Sequence, residues 1–310
     1  MKNRVSEFRN TAEAAAWLNT WSMKVQQFNN AFYLRKEIAT TFGKTIVWTW
    51  NLDRTNLETI VFFPGARTCA FFWDLNNVLE PLRKNFRIIL VEVIGQANLS
   101  DGYSPDIKTD EYGIWVRDLF SGLNISKAVI AGASLGGLIC LKACRVVPHL
   151  ISRAILVNPA GLRSFSGLPG NVFYNMLPII FPRRSNVEAF LKNVVFYKDV
   201  HTLPRNYFDL VVDYQEYVLK NHKFRGDYPE PLPSHELQKI NSPVYLITGD
   251  RDNLFPYQRS VENARKYLKN LKRVEVLKDI AHGIETSEKA IEIIRQIVCE
   301  TENEMVVTQR

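Results

Sequence analysis

Short apolar runs recur along this chain with helical patterns between them. The runs are "ETIVFF" (58–63), "FRIILVEV" (86–93), "KAVIA" (127–131), "RAILVN" (153–158), "PVYLITG" (243–249) and "RVEVLKD" (273–279), and most of them are apolar on both faces. Strands look like this when helices cover both sides of a parallel sheet; a sheet with one wet face alternates polar and apolar residues instead. Helical patterns fill the intervals at 71–84, 110–123, 135–146 (stopped by Pro148), 257–268 and 286–299. Ahead of them, "YLRKEIAT", the turn Phe42-Gly43-Lys44 and "TIVWTW" read as a hairpin. An antiparallel opening followed by strand-helix units predicts an α/β fold, a mostly parallel eight-stranded sheet with helices on both faces.

One interval breaks the rhythm. Some 80 residues separate "RAILVN" from "PVYLITG", where a connection in such units usually takes about 2 to 6. Aromatic and helical segments fill it, so residues 162–238 are expected to form a helical cap inserted over one end of the sheet. The core is then 33–161 and 239–300. Residues 1–32 form an accessory N-terminal segment, with Ala14, Trp17, Leu18 and Trp21 at helical spacing. The polar residues 301–310 are expected to be a frayed tail.

Charge and cysteine usage remove several classes of function. The 39 Lys and Arg against 32 Asp and Glu give a net charge of +7, spread along the chain without a basic block to track phosphates, so no nucleic-acid partner is expected. Cys69, Cys140, Cys144 and Cys299 form no CxxC pair and no ligand-like spacing with histidine, which suggests neither a metal site nor a disulfide framework. No run approaches the ~20 apolar residues of a membrane span, and the first residues are polar rather than signal-like. A cytoplasmic protein with no membrane partner is the expectation.

The chemistry centres on "VIAGASLGGLIC" (129–140), where a G-x-S-x-G motif stands between a strand and a helix. A serine on such a turn takes a strained backbone, and Gly132 and Gly136 supply the missing bulk two residues to either side. Ser134 is therefore the candidate nucleophile. It needs a base, and the base needs an orienting carboxylate. Of the five histidines, His149 ends a helix and His201, His222 and His235 fall in the long interval or at its edge. His282 alone follows a core strand, in "VLKDIAHGIE". For the acid, "LITGDRDNLFP" offers Asp252, with Asp250 as the alternative. Serine, acid, histidine is one of the known chain orders of a catalytic triad and goes with this topology. An oxyanion hole needs two NH donors: Leu135, directly after the serine, and Ala66 in Pro64-Gly65-Ala66-Arg67, with Arg67 as the lesser alternative.

With these residues in place, the chain resembles the α/β-hydrolase superfamily over nearly its whole length. Within it, "TTFGKTIVWTW", "FFWDLNNVLEPLRKNFRIILVEVIGQANLS", "DLFSGLNISKAVIAGASLGGL" and "GDRDNLFP" are similar to segments of bacterial carboxylesterases of the naproxen-esterase kind. The resemblance implies a serine esterase with a helical cap, no metal and no organic cofactor, acting on a small-molecule ester. It places the triad on Ser134, Asp252 and His282 and the oxyanion donors on Ala66 and Leu135. Two segments depart from the pattern. Pro64-Gly65 stands where many relatives have His-Gly, which removes whatever bracing that imidazole gives the loop, and "IGQANLS" replaces a frequent G-x-G. The same triad also serves thioester, lactone or carbon-carbon bond hydrolysis, and a ligand-binding or signalling protein on this fold is the reading from another class.

Overall fold

The computed structural model describes residues 4–198, 200–224 and 226–300, so the expected tail at 301–310 lies outside the described residues. The described residues form ten strands: β1 (Glu7–Phe8), β2 (Leu34–Thr40), β3 (Gly43–Trp50), β4 (Thr59–Phe63), β5 (Arg87–Val91), β6 (Ala128–Ala133), β7 (Ile151–Val157), β8 (His222–Lys223), β9 (Val244–Gly249) and β10 (Leu271–Leu277). Eight of them make one sheet in the order β10-β9-β7-β6-β4-β5-β3-β2. The β2–β3 hairpin joins antiparallel to β5, and the other pairs are parallel. This is the α/β fold that the apolar runs predict. Every residue of the central β4 and β6 is buried, as strands covered on both faces require. At the edge, β10 is only half-buried along most of its length, and Arg273 pairs with Glu275 at 2.7 Å there. Charged side chains on an exposed edge discourage pairing with another chain.

The helices follow in chain order as α1 (Thr11–Asn29), α2 (Glu80–Arg83), α3 (Glu111–Gly122), α4 (Leu135–Val146), α5 (Pro169–Ile180), α6 (Arg184–Phe190), α7 (Arg205–Asn221), α8 (Ser234–Leu237), α9 (Tyr257–Tyr267) and α10 (Glu288–Cys299). One predicted helix is not continuous. Residues 71–84 break into a 3-10 segment, Ala70–Asn77, and the short α2, with non-helical backbone at Asp74, Leu75 and Asn76. The buried Asp74 carboxylate causes the break. It accepts from the Leu79 NH at 3.1 Å and the Tyr33 hydroxyl at 2.9 Å, and it pairs with Arg83, so the chain folds around the charge instead of winding past it.

Helices α5 to α8 lie in the long interval between β7 and β9. The insertion touches loops at the C-terminal ends of three strands: α5 meets Arg67 after β4 and Asn253 after β9, and Val195, in the turn after α6, meets Gly283 after β10. The N-terminal helix braces this insertion. The Trp21 indole NH donates to the Leu210 carbonyl at 2.8 Å, Trp17 stacks on Tyr217 at 4.0 Å, and the two-residue β1 pairs with β8. Among the described residues no helix is long and apolar enough to cross a membrane.

Candidate active site

Ser134 stands between β6 and α4 at φ 52°, ψ −113°, a backbone conformation costly to any residue with a Cβ. The surroundings hold it there. Its NH donates to the Val157 carbonyl at 3.1 Å, and its carbonyl accepts from Gly137 at 3.0 Å and Ala160 at 2.9 Å. The flanking glycines are required by space: a Cβ on Gly132 would stand 2.1 Å from the Gly136 carbonyl oxygen, and one on Gly136 would stand 2.0 Å from that of Phe63. Ser134 is half-buried, and its hydroxyl makes no capping bond to α4.

Of the two candidate acids, Asp252 meets the histidine. His282 Nδ1 lies 2.9 Å from Asp252 Oδ2, and since a carboxylate only accepts, Nδ1 carries the proton and Nε2 is left bare. The other oxygen, Oδ1, accepts from the NH groups of Leu254 at 2.8 Å and Phe255 at 3.0 Å. The alternative, Asp250, turns away to accept from the Asp279 NH at 2.7 Å. Burial works to lower the His282 pKa, but the charge and hydrogen bond of Asp252 outweigh it and hold it above the usual imidazole value.

Two residues that the sequence did not point to hold the histidine loop. Asn158 donates to the carbonyls of Ala281 at 3.0 Å and His282 at 3.3 Å and accepts from Gly249 at 2.8 Å. It directly follows Val157, the acceptor of the Ser134 NH, so one asparagine ties together the segments carrying all three triad candidates. From the insertion, His201 accepts the Ala281 NH on Nδ1 at 3.2 Å while its Nε2 contacts the Gly283 carbonyl at 3.1 Å. Burial pushes the His201 pKa down to about 4, which keeps this ring neutral. The Val195 carbonyl accepts from Gly283 at 2.8 Å on the same loop.

The loop after β4 passes close to Ser134: a Cβ on Gly65 would be 3.4 Å from that of Ser134. No imidazole follows β4, and other groups brace the loop. Thr68 Oγ1 donates to the Gly65 carbonyl at 2.7 Å, Gln96 Oε1 accepts the Arg67 NH at 2.9 Å, and Gln215 Nε2 donates to the Arg67 carbonyl at 3.0 Å. Gln96 belongs to "IGQANLS", the segment that departs from G-x-G. Because the Arg67 NH is engaged, the exposed Ala66 has the freer amide. Leu135 opens α4, where first-turn NH groups have no intrahelical acceptor.

Glu285 adds a second carboxyl to this corner. It is buried, and burial raises its pKa to about 7 even though the nearby His282 works to lower it. The folded state therefore binds this proton more tightly than the unfolded chain, and the stability it contributes is complete below pH 4.5 and lost by about pH 7. Glu285→Gln removes that slope. It is expected to gain on the order of 2 to 3 kcal/mol over wild type at pH 8 relative to its standing at pH 4.5, measured by urea unfolding at both values. Parallel pH dependences in the two proteins would contradict the assignment.

Comparison of sequence and of structure relates the chain to known proteins. A profile described as the alpha/beta hydrolase family matches residues 60–285. The carboxylesterase YbfK of Bacillus subtilis (strain 168) is 24% identical over 267 residues, covering 86% of this chain and 84% of that protein. A crystal structure of carboxylesterase CesB (YbfK) from Bacillus subtilis aligns with a TM-score of 0.77 at 20% identity, over 93% of this chain and 99% of that one. Naproxen esterase (carboxylesterase NP) from Bacillus subtilis gives a TM-score of 0.77 at 18% identity, over 94% and 99%.

Proposed function

We propose that this chain, which belongs to the alpha/beta hydrolase family, is a carboxylesterase-like enzyme that cleaves small esters with an apolar body through an acyl-enzyme on Ser134. The observation that carries the reading is the strained conformation of Ser134 at the strand-to-helix turn, in a corner tied by Asn158 to the Asp252–His282 pair. Backbone strain persists where the surroundings over-determine it, and nucleophile turns are such places.

In this reading His282 Nε2 takes the hydroxyl proton as Ser134 Oγ attacks the ester carbonyl. The oxyanion is held by the NH groups of Ala66 and Leu135, each donor being worth about 3 kcal/mol in sites of this type. The intermediate collapses, the alcohol leaves with the proton from His282, and the acyl group stays on Ser134. A water then gives its proton to His282 and attacks the acyl carbonyl. The second tetrahedral intermediate expels Ser134, which recovers the proton, and the acid departs. Asp252 fixes the imidazole tautomer and balances its charge in both halves. Residues 162–238 serve as the cap, a role supported by the bonds that His201, Val195, Asn175 and Gln215 make to the loops of the site. Phe255, whose ring lies 5.7 Å from that of His282, supports an apolar substrate body. The free thiols fit a cytoplasmic setting.

A fluorophosphonate probe tests the reading directly. Labelling is expected on the peptide containing Ser134, identified by mass spectrometry, with parallel loss of activity on short 4-nitrophenyl esters. A folded sample that takes no label at Ser134 would sink the esterase assignment.

A further inference from the structure

Two residues past Gly65, Arg67 carries a cation whose place the mechanism above does not explain. Its backbone is left-handed, at φ 60°, a region that favours glycine, and Gln96 and Gln215 hold it there. The guanidinium sits between the catalytic loops and the insertion. Nη2 reaches Asn175 Oδ1 at a long 3.4 Å, and the guanidinium carbon lies 5.8 Å from the centre of the Phe190 ring. Both neighbours are buried. A guanidinium has five N–H donors, and among the described residues no carboxylate offsets this charge: burial lowers the Arg67 pKa, and only Tyr228 opposes it. The charge is felt at His282, where it works against protonation of the imidazole. A half-buried cation with no carboxylate paired to it, held against buried neighbours beside a candidate active site, suits an anion brought in from outside.

We propose that Arg67 anchors a carboxylate carried by the substrate, so that the site selects ester acids: an ester bond at Ser134, an apolar body near Phe190 and Phe255, and a free carboxylate at the guanidinium. The position of the ester bond rests on the esterase reading above; the anion site does not. Asn175 steers the fork. Its own amide is fixed by donation to the Asn171 carbonyl at 2.9 Å, and Asn171 in turn bonds the Asn253 carbonyl next to Asp252, so one polar strip links the anchor to the triad candidates.

Two measurements test this. The first compares kcat/KM for ester pairs differing in one carboxylate: 4-nitrophenyl hemiglutarate against 4-nitrophenyl hexanoate for an acyl-side anion, and 3-(butyryloxy)benzoate against phenyl butyrate for an alcohol-side anion. In one pair the acid-to-neutral ratio is expected to fall about 30-fold in Arg67→Met, chiefly through KM for the acid, and to recover in part in Arg67→Lys. The second titrates monoethyl glutarate and 3-(butyryloxy)benzoate calorimetrically into Ser134→Ala, with and without Arg67→Met, and needs no turnover. Binding of one of them is expected to weaken to a similar extent. Loss of binding with Arg67→Met, where the wild-type protein hydrolyses no ester, supports the anchor and sinks the esterase reading. Ratios unmoved in both pairs, with calorimetric binding absent or unchanged, overturn the anchor even if ester hydrolysis is brisk. That is the outcome expected if Arg67 merely packs on Phe190.

Discussion

Ser134→Ala is expected to lower kcat on short 4-nitrophenyl esters by on the order of 10⁴-fold or more while leaving the protein as stable as wild type. The first half follows from the role proposed for the hydroxyl: on that reading no acyl-enzyme forms without it, and what remains is the help that binding and an oxyanion hole give to water. The second half follows from the local geometry. The Ser134 NH and carbonyl make their bonds through the backbone, to Val157, Gly137 and Ala160, and the side chain makes no capping bond, so alanine forfeits no structural contact. The strain at φ 52° belongs to any residue with a Cβ. Ser134→Gly should therefore be equally inactive yet more stable, by about 1 kcal/mol, read as a higher Tm. Wild-type activity in Ser134→Ala would move the nucleophile elsewhere. Equal stability of the glycine and alanine variants would mean that the turn is unstrained.

Legibility in the sequence divided along physical lines. The central strands were readable because burial on both faces leaves a continuous apolar signature: "TIVFF" and "AVIAGA" are buried at every position. Helix α4 was readable at both ends because the serine turn starts it and Pro148 follows its end. The break at Asp74 was hidden, since 71–84 has acceptable helical residues and the carboxylate that interrupts it is satisfied by Tyr33, 41 positions away. At the candidate site, Asp252 and His282 could be picked out from their strand ends, and the structure brings them within hydrogen-bond distance. Their supports were not visible. His201 reaches Gly283 across 82 positions and Asn158 reaches Ala281 across 123, and neither side chain carries a local pattern that announces the role. Gln96 stood out only as a departure from a motif, with no sign of the backbone NH it would hold.

Asp252→Asn is expected to be nearly as damaging as loss of the serine, about 10⁴-fold in kcat, and for a reason fixed by the two backbone donors beside it. The NH groups of Leu254 and Phe255 both point at Oδ1, so an asparagine here must place its carbonyl oxygen toward them and its NH2 toward His282. An NH2 donates where the carboxylate accepted. Nδ1 must then be the bare nitrogen and Nε2 the protonated one, and a protonated Nε2 cannot take the serine proton. The pH profile supplies an independent reading. As the proposed base His282 would act only when neutral, and its pKa lies above the ordinary 6.5 because Asp252 outweighs the effect of burial. The acid limb of wild-type kcat/KM should accordingly fall above pH 6.5, with activity rising as the imidazole deprotonates. Without the Asp252 carboxylate, burial and the Arg67 charge both favour the neutral ring and only the smaller effect of Glu285 opposes them, so the residual activity of Asp252→Asn should hold to lower pH than that of wild type. An acid limb at the same pH in both proteins would separate Asp252 from the group that titrates, and activity within tenfold of wild type would remove it from the triad.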